Sequence, residues 1–304
     1  MKILMTTDTV GGVWVYSLEL CKALQKYGVQ VHLVAMGHWP SEEQEKEAAK
    51  LSNVLLYKSD YKLEWMQDPW DDVEKARKWI NCIYHTVMPD LVVSPSQAIL
   101  EKAQATHRFT TESRVIHNGR DLNFSEEKEK ENIIFCIGRI WDEGKNLMLL
   151  SRVAKELPWP VYIAGNNTNP STGTTLEIEN VNFLGSLSEA EMRDWIQRAA
   201  IFVSPTKYEP FGLAILEAAE AGCALALSNI ETLKEIWGNS ALFFDPKDRE
   251  EAKAKILELI EDEALRKAYS EKALSRSALY TSEKMGAAYY EVYKESIQKK
   301  TKAA

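Results

Sequence analysis

Four charged residues stand where strand-like runs give way to helix-like ones. Arg139 and Lys145 lie in IGRIWDEGKN, while Glu209 and Glu217 bracket the start of a helical run in KYEPFGLAILEAAEAG. Two cations on a strand-to-helix loop suit a diphosphate, Arg through a planar bidentate fork and Lys as a point charge. They read equally well as two surface residues, one of them meeting neighbouring carboxylates. Gly212 lets backbone approach a ligand, and the opening amides of Phe211, Gly212 and Leu213 point where an anion or a sugar hydroxyl can sit. Glu209 lies beside those amides, suited to accept hydrogen bonds from hydroxyls. Glu217 is one residue off the apolar line through Ile215, Leu216 and Ala219, so it borders the packed face and can reach into a cleft. The plain alternative is one capping acid and one surface acid. Gly11 and Gly12, ahead of the first helical run, offer either an anion-binding turn or an ordinary tight turn, and the GxGxxG dinucleotide fingerprint is absent.

The elements that must hold these residues alternate. KILMTT, VQVHLVAMG, NVLLYK, LVVSPS and RVIH read as buried strands. Helical runs fall between them, among them GGVWVYSLELCKALQKYG, SEEQEKEAAKLS and DPWDDVEKARKWINCIYHTVMPD, as parallel sheets require. LNFSEEKEKEN, with almost no apolar content, reads as a solvated linker. The pattern then restarts with IIFCIGR, VYIAG, VNFLG, IFVSPT, CALALS and ALFFD. Ser188 with Glu191 three residues on carries the capping-box signature of a helix start. Two helical segments, REEAKAKILELIEDEALRKAYSEKAL and SEKMGAAYYEVYKESIQKK, close the chain. The expectation is an α/β protein of two doubly wound domains facing across a cleft, with chemistry beyond the carboxyl ends of the strands.

Composition bounds the function. With 304 residues the chain exceeds one ordinary core, and 45% hydrophobic with 27% charged residues is a globular balance. A net charge of -8 speaks against a nucleic-acid partner. No apolar run spans a bilayer and no cleavable leader opens the chain, so a cytoplasmic location is expected. Scattered lysines such as Lys22, Lys26 and Lys78 allow at most weak peripheral membrane association. Cys21, Cys82, Cys136 and Cys223 form no CxxC pair and read as core fillers, and His32, His38, His85, His107 and His117 show no ligand spacing, so no metal site is expected.

Taken together, GGVW, VSPSQA, VIHNGRD, IGRIWDEGKN, VNFLGSLSEAEM and above all EPFGLAILEAAEAG, with its E-x7-E spacing, resemble the retaining nucleotide-sugar glycosyltransferases of family 4 (group 1). The resemblance covers most of the chain. It implies the GT-B fold: two Rossmann-like domains, residues 1–121 on the acceptor side and 132–282 binding the donor, with a helix over 283–304 packing back on the first. It implies a hexosyltransferase that takes a nucleoside diphosphate sugar to an acceptor hydroxyl with retention of anomeric configuration and no metal or other cofactor. The acceptor, whether glycan, lipid or small molecule, is not named by it.

Position by position, Arg139 and Lys145 match the pair that holds the donor diphosphate as leaving group, and Glu209 the glutamate beside the donor sugar. The amides of Phe211, Gly212 and Leu213 match those meeting sugar hydroxyls and phosphate. Glu217 matches the glutamate that accepts from the ribose hydroxyls, and Gly11 and Gly12 the loop closing over the phosphates. Arg139, Lys145 and Glu209 are the residues expected to carry catalysis. The chain departs from the family at MPDLVVSPSQAIL, where intervening strand and helix units are missing, and neither His85 nor His117 takes the place of the family's histidine near the donor sugar. The shortened first domain motivates a second reading, a catalytically degenerate nucleotide-sugar binding or scaffold protein; a third, a nucleotide-sugar epimerase, is disfavoured by the E-x7-E motif and the missing acid/base histidines.

Overall fold

The computed structural model describes residues 1–59, 62, 71, 74–75, 90–122, 124, 128–169 and 172–303. Lys78, Cys82 and His85, and most of the helix expected around them, lie outside the described residues. The chain divides into two compact units: Met1–Arg120 with Tyr280–Ala304, and Asp121–Leu279.

In the first unit β1 (Lys2–Asp8), α1 (Gly12–Gln25), β2 (Gln30–Met36), α2 (Glu42–Ala49) and β3 (Val54–Lys58) follow one another. The three strands form a parallel sheet in the order β1-β2-β3. Val31, Leu33 and Ala35 alternate inward along β2, as a period of two requires. The other face, with Leu4, His32, Val34 and Tyr57, lines a shallow depression of about 400 Å³ that holds none of the site residues expected from the sequence. β4 (Val92–Ser94), α3 (Gln97–His107) and β5 (Ser113–Val115) add a two-stranded parallel sheet.

The second unit is built on β6 (Glu131–Ile137), α4 (Leu147–Ala154), β7 (Val161–Ala164), β8 (Asn182–Gly185), α5 (Glu189–Arg198) and β9 (Ala199–Ser204). It continues through α6 (Leu213–Glu220), β10 (Ala224–Ser228), α7 (Glu231–Trp237), β11 (Leu242–Phe244), α8 (Arg249–Glu261) and α9 (Glu263–Ser277). Its six strands are all parallel, in the order β11-β10-β9-β6-β7-β8. Every residue of β10 is buried, as a strand covered on both faces demands. Phe135, Phe202 and Phe244 are almost wholly enclosed, each burial stabilising by roughly 1.5–3 kcal/mol. From β6 the chain winds one way through β7 and β8, and from β9 the other way through β10 and β11. The boundary between β6 and β9 is thus the switch point of the sheet, where open α/β folds leave a crevice.

The long helical run expected after residue 248 is two helices. Asp262 ends α8 and starts α9, its carboxylate accepting the Leu265 amide at 2.8 Å. The capping box expected at Ser188 is present: the Glu191 amide donates to the Ser188 hydroxyl and the Ser188 amide to the Glu191 carboxylate. Among its described residues, the charged stretch read as solvated is exposed at Lys128, Glu129, Glu131 and Asn132 yet makes ion pairs. Lys128 and Arg198 both pair with Asp194, Arg198 also grips Glu131, and Lys130 donates to the Ala199 carbonyl at 2.9 Å.

The chain re-enters the first unit to form α10 (Ser282–Ala303), which packs on α1. Met285 and Val292 join Leu20, Cys21, Leu24, Val31 and Leu33 in one core. Tyr16 donates to the Tyr289 hydroxyl at 2.8 Å, and the rings of Tyr27 and Tyr290 stack at 4.3 Å. Gly286 permits the close crossing, since a Cβ there would stand 2.6 Å from that of Ala23.

Candidate active site

The loop after β6 is shaped by Asp142. One of its carboxylate oxygens accepts the Gly144 amide at 2.9 Å and the other the Arg139 guanidinium at 2.6 Å. The guanidinium carbon also lies 4.9 Å from the centre of the Trp141 ring, within cation–π range. Arg139 Nε is buried and has no hydrogen-bond partner among the described residues. An unmade hydrogen bond of this kind is expensive, about 1–3 kcal/mol.

Lys145, three residues beyond Asp142, points toward the next loop. Its ammonium donates to Glu209 at 2.7 Å, with the two side chains 27% and 16% exposed. One carboxylate uses one of the three ammonium donors, leaving capacity for a second acceptor.

Glu209 belongs to the loop between β9 and α6. That loop is laid against the first one: the Lys207 amide donates to the Gly144 carbonyl at 2.8 Å, and the Thr206 hydroxyl lies 2.8 Å from the same oxygen. From the far side the Thr232 hydroxyl, at the start of α7, donates to the Glu209 carbonyl at 2.7 Å. Phe211 is buried and anchors the turn into α6. Gly212 caps that helix at φ 92°, ψ 66°, with no side chain to cover the first amides. Only glycine adopts this backbone freely, and a Cβ there would lie 2.8 Å from Ile215 Cδ1. Leu213 opens the helix, whose first amides have no intrahelical acceptor.

Glu217, about one turn into the helix, is the only carboxylate in the buried set among the described residues, at 8% exposed. The sequence placed it on the border of the packed face, whereas α6 carries it inside. A carboxylate so enclosed is stable only where donors meet it.

Arg139, Lys145, Glu209, Phe211, Gly212, Leu213 and Glu217 all belong to the second unit, on loops and a helix at the carboxyl ends of β6 and β9. Gly11 and Gly12 belong to the first. Gly11 caps α1 at φ 85°, ψ -151°, a glycine conformation, again without a side-chain cap, and a Cβ on Gly12 would meet only open space. The turn is braced by the Val10 amide on the Asp8 carboxylate at 2.9 Å. His117 holds the Pro95 carbonyl at 2.9 Å through Nδ1 and meets Tyr280 edge-on. Cys21, Cys136 and Cys223 are buried free thiols, and burial pushes those of Cys21 and Cys136 up to about 12.

Sequence reading missed Asp142, Thr206 and Thr232. Asp142 alone carried a local signal, an acid three residues after Arg139. The two threonines act through main-chain carbonyls of other loops and leave no mark in spacing.

The parallel sheets and the switch point of the larger one give an α/β architecture, that of the GT-B glycosyltransferases. The chain superposes on the Anabaena protein HepE, solved in complex with UDP and glucose, with a TM-score of 0.75 over 97% of this chain and 100% of that one at 13% identity, a likeness of fold. Residues 119–276, just over half of the chain, match the family model of the glycosyl transferases group 1, and the chain belongs to that family.

Among curated relatives, it is 31% identical to the O-antigen chain mannosyltransferase B of Escherichia coli over 103 residues, 34% of this chain and 27% of that one. It is 29% identical to the N,N'-diacetylbacillosaminyl-diphospho-undecaprenol alpha-1,3-N-acetylgalactosaminyltransferase of Campylobacter jejuni over 177 residues, 56% of this chain and 46% of that one. The chain thus spans about half the length, or less, of these curated relatives.

Proposed function

We propose that the protein transfers a hexose from a nucleoside diphosphate sugar to an acceptor hydroxyl, retaining the anomeric configuration and using no metal ion. The observation that carries this reading is the Lys145–Glu209 pair, set at the switch point beside the glycine-opened start of α6. Breaking the bond to a diphosphate builds negative charge on the leaving oxygen, which preorganised positive groups must meet. In this reading Arg139, Lys145 and the amides at Phe211, Gly212 and Leu213 meet it. Glu209 accepts from the sugar hydroxyls and Glu217 from the ribose. Gly11 and Gly12 serve as donor-binding residues in the same reading. The departing phosphate takes the acceptor's proton, so no carboxylate has to serve as general base.

Membership of a glycosyltransferase family and the names of the relatives support this reading over a binding protein or an epimerase. The donor is a nucleotide sugar, as the UDP and glucose bound to HepE suggest by analogy. The acceptor is a glycan, a lipid or a small molecule. Among the described residues no helix is long and apolar enough to cross a membrane, and we place the reaction in the cytoplasm with at most weak peripheral contact with lipid.

The test is a panel of UDP, GDP and ADP sugars, with nucleotide release measured with and without candidate acceptors and in the presence of EDTA. Release that depends on an acceptor and is indifferent to EDTA is expected. Binding without release, unchanged by Glu209→Ala, would instead identify a binding protein, and isomerised sugar without release an epimerase.

A further inference from the structure

Asn146 precedes α4, where asparagine ordinarily caps the helix with its own side chain. Here it does not. Its backbone is left-handed, at φ 54°, ψ 32°, and its side chain makes no capping bond. Instead the amide nitrogen donates both hydrogens outward, to the Pro205 carbonyl at 2.8 Å and the Pro246 carbonyl at 2.9 Å. Pro205 immediately follows β9 and Pro246 lies two residues beyond β11, which is three strands away from β6 in the sheet. One side chain therefore joins the loops that leave three strands.

Its neighbours give that link a purpose. Lys145 is the adjacent residue, and Glu209, which receives the Lys145 ammonium, is four residues beyond Pro205 on the loop that Asn146 grips. We infer that Asn146 is a positioning residue for Lys145: its left-handed turn sets where the lysine leaves the backbone, and its amide fixes the partner loop against which the ammonium is aimed. The inference rests on the reading of Lys145 as a ligand of the donor diphosphate. A lysine has four flexible carbons, so small shifts at its root become large ones at its charge, and misplacement costs rate and affinity steeply.

Asn146→Gly separates the two roles, because glycine keeps the left-handed backbone and removes the amide. The Thr206 and Lys207 bonds to Gly144 remain and hold the loops together. Asn146→Asp, which replaces a double donor by a carboxylate facing two carbonyls, is the second variant should the first not fold. The full chain is titrated calorimetrically with UDP, GDP and ADP and with the matching nucleosides. For the diphosphate that binds the wild type, Asn146→Gly is expected to weaken binding by about tenfold, with nucleoside affinity changed less than about twofold. Added to Lys145→Ala, the substitution is expected to have almost no further effect.

Wild-type affinity in Asn146→Gly overturns the inference. So does an equal loss for nucleoside and diphosphate, or the same loss with Lys145 absent, since each describes a general loosening. If the wild type binds none of the diphosphates, the reading of the whole site fails and this inference with it, an outcome distinct from the others.

Discussion

The ammonium of Lys145 lies 2.7 Å from the carboxylate of Glu209, although the two side chains rise from loops that follow different strands of one sheet. Both are largely withdrawn from solvent, so the pair is unlike an exposed salt bridge, whose worth is about 0–1 kcal/mol. Removing either partner leaves the other charge poorly compensated.

Lys145→Ala is accordingly expected to lower turnover by roughly 100- to 1000-fold, the effect of deleting one preorganised donor to a developing oxyanion. Arg139→Ala should act in the same sense. Calorimetry with a nucleoside diphosphate and its nucleoside separates the roles: both variants should lose affinity for the diphosphate far more than for the nucleoside. Equal losses for the two ligands would place the pair away from the phosphates.

Gly212→Ala tests the entry to α6. The left-handed backbone and the 2.8 Å approach of Ile215 make any side chain there strained, at about 1–3 kcal/mol. Urea unfolding should show the loss. An unchanged midpoint would mean that the turn adopts another conformation.

Acid stability has an expected window. Glu131 and Asp194 titrate below the ordinary carboxylate range because Arg198 and Lys128, respectively, hydrogen-bond to them. A folded value below the unfolded one means that their stabilisation is complete above the unfolded carboxylate range, near pH 4, and is lost as pH falls through the folded values. Thermal midpoints of wild type and Arg198→Leu should therefore differ at pH 7 and converge as the pH is taken down through 3. A constant gap across that range would remove the carboxylates from the account.

Gly286→Ala should destabilise the first unit, typically by about 1–3 kcal/mol for an overpacked contact. The added methyl meets Ala23, so Ala23→Gly in the same chain should restore much of the loss. Failure of that rescue, read by thermal unfolding, would show that the cost arises elsewhere.

How much of this was written in the sequence depends on the range of each interaction. Runs such as CALALS announce a strand buried on both faces, and Ser188 with Glu191 announces a helix start, because both signals are local. The candidate residues proposed for the site could be named for a related reason: glycine and charge immediately after a strand is a local pattern too. The bonds between loops could not. Asn146 meets a carbonyl one hundred residues away, and Thr232 meets Glu209, partners that no period or spacing marks. In the charged run at 122–132 the composition marks exposure, and Lys128, Glu129, Glu131 and Asn132 are exposed, but it does not mark the partners that Lys130 and Glu131 find on β9 and α5.

The helix α10 gives the molecule an order of assembly. The core of the first unit draws on Leu20 and Leu24 near one end of the chain and on Met285 and Val292 near the other. During synthesis, the residues from Asp121 to Leu279 emerge between these halves, a delay of roughly ten to thirty seconds at ordinary elongation rates. The second unit can finish folding in that interval, while α1 waits with its apolar stripe uncovered. The unit that begins first is completed last, and the nascent chain is most in need of a chaperone while it waits.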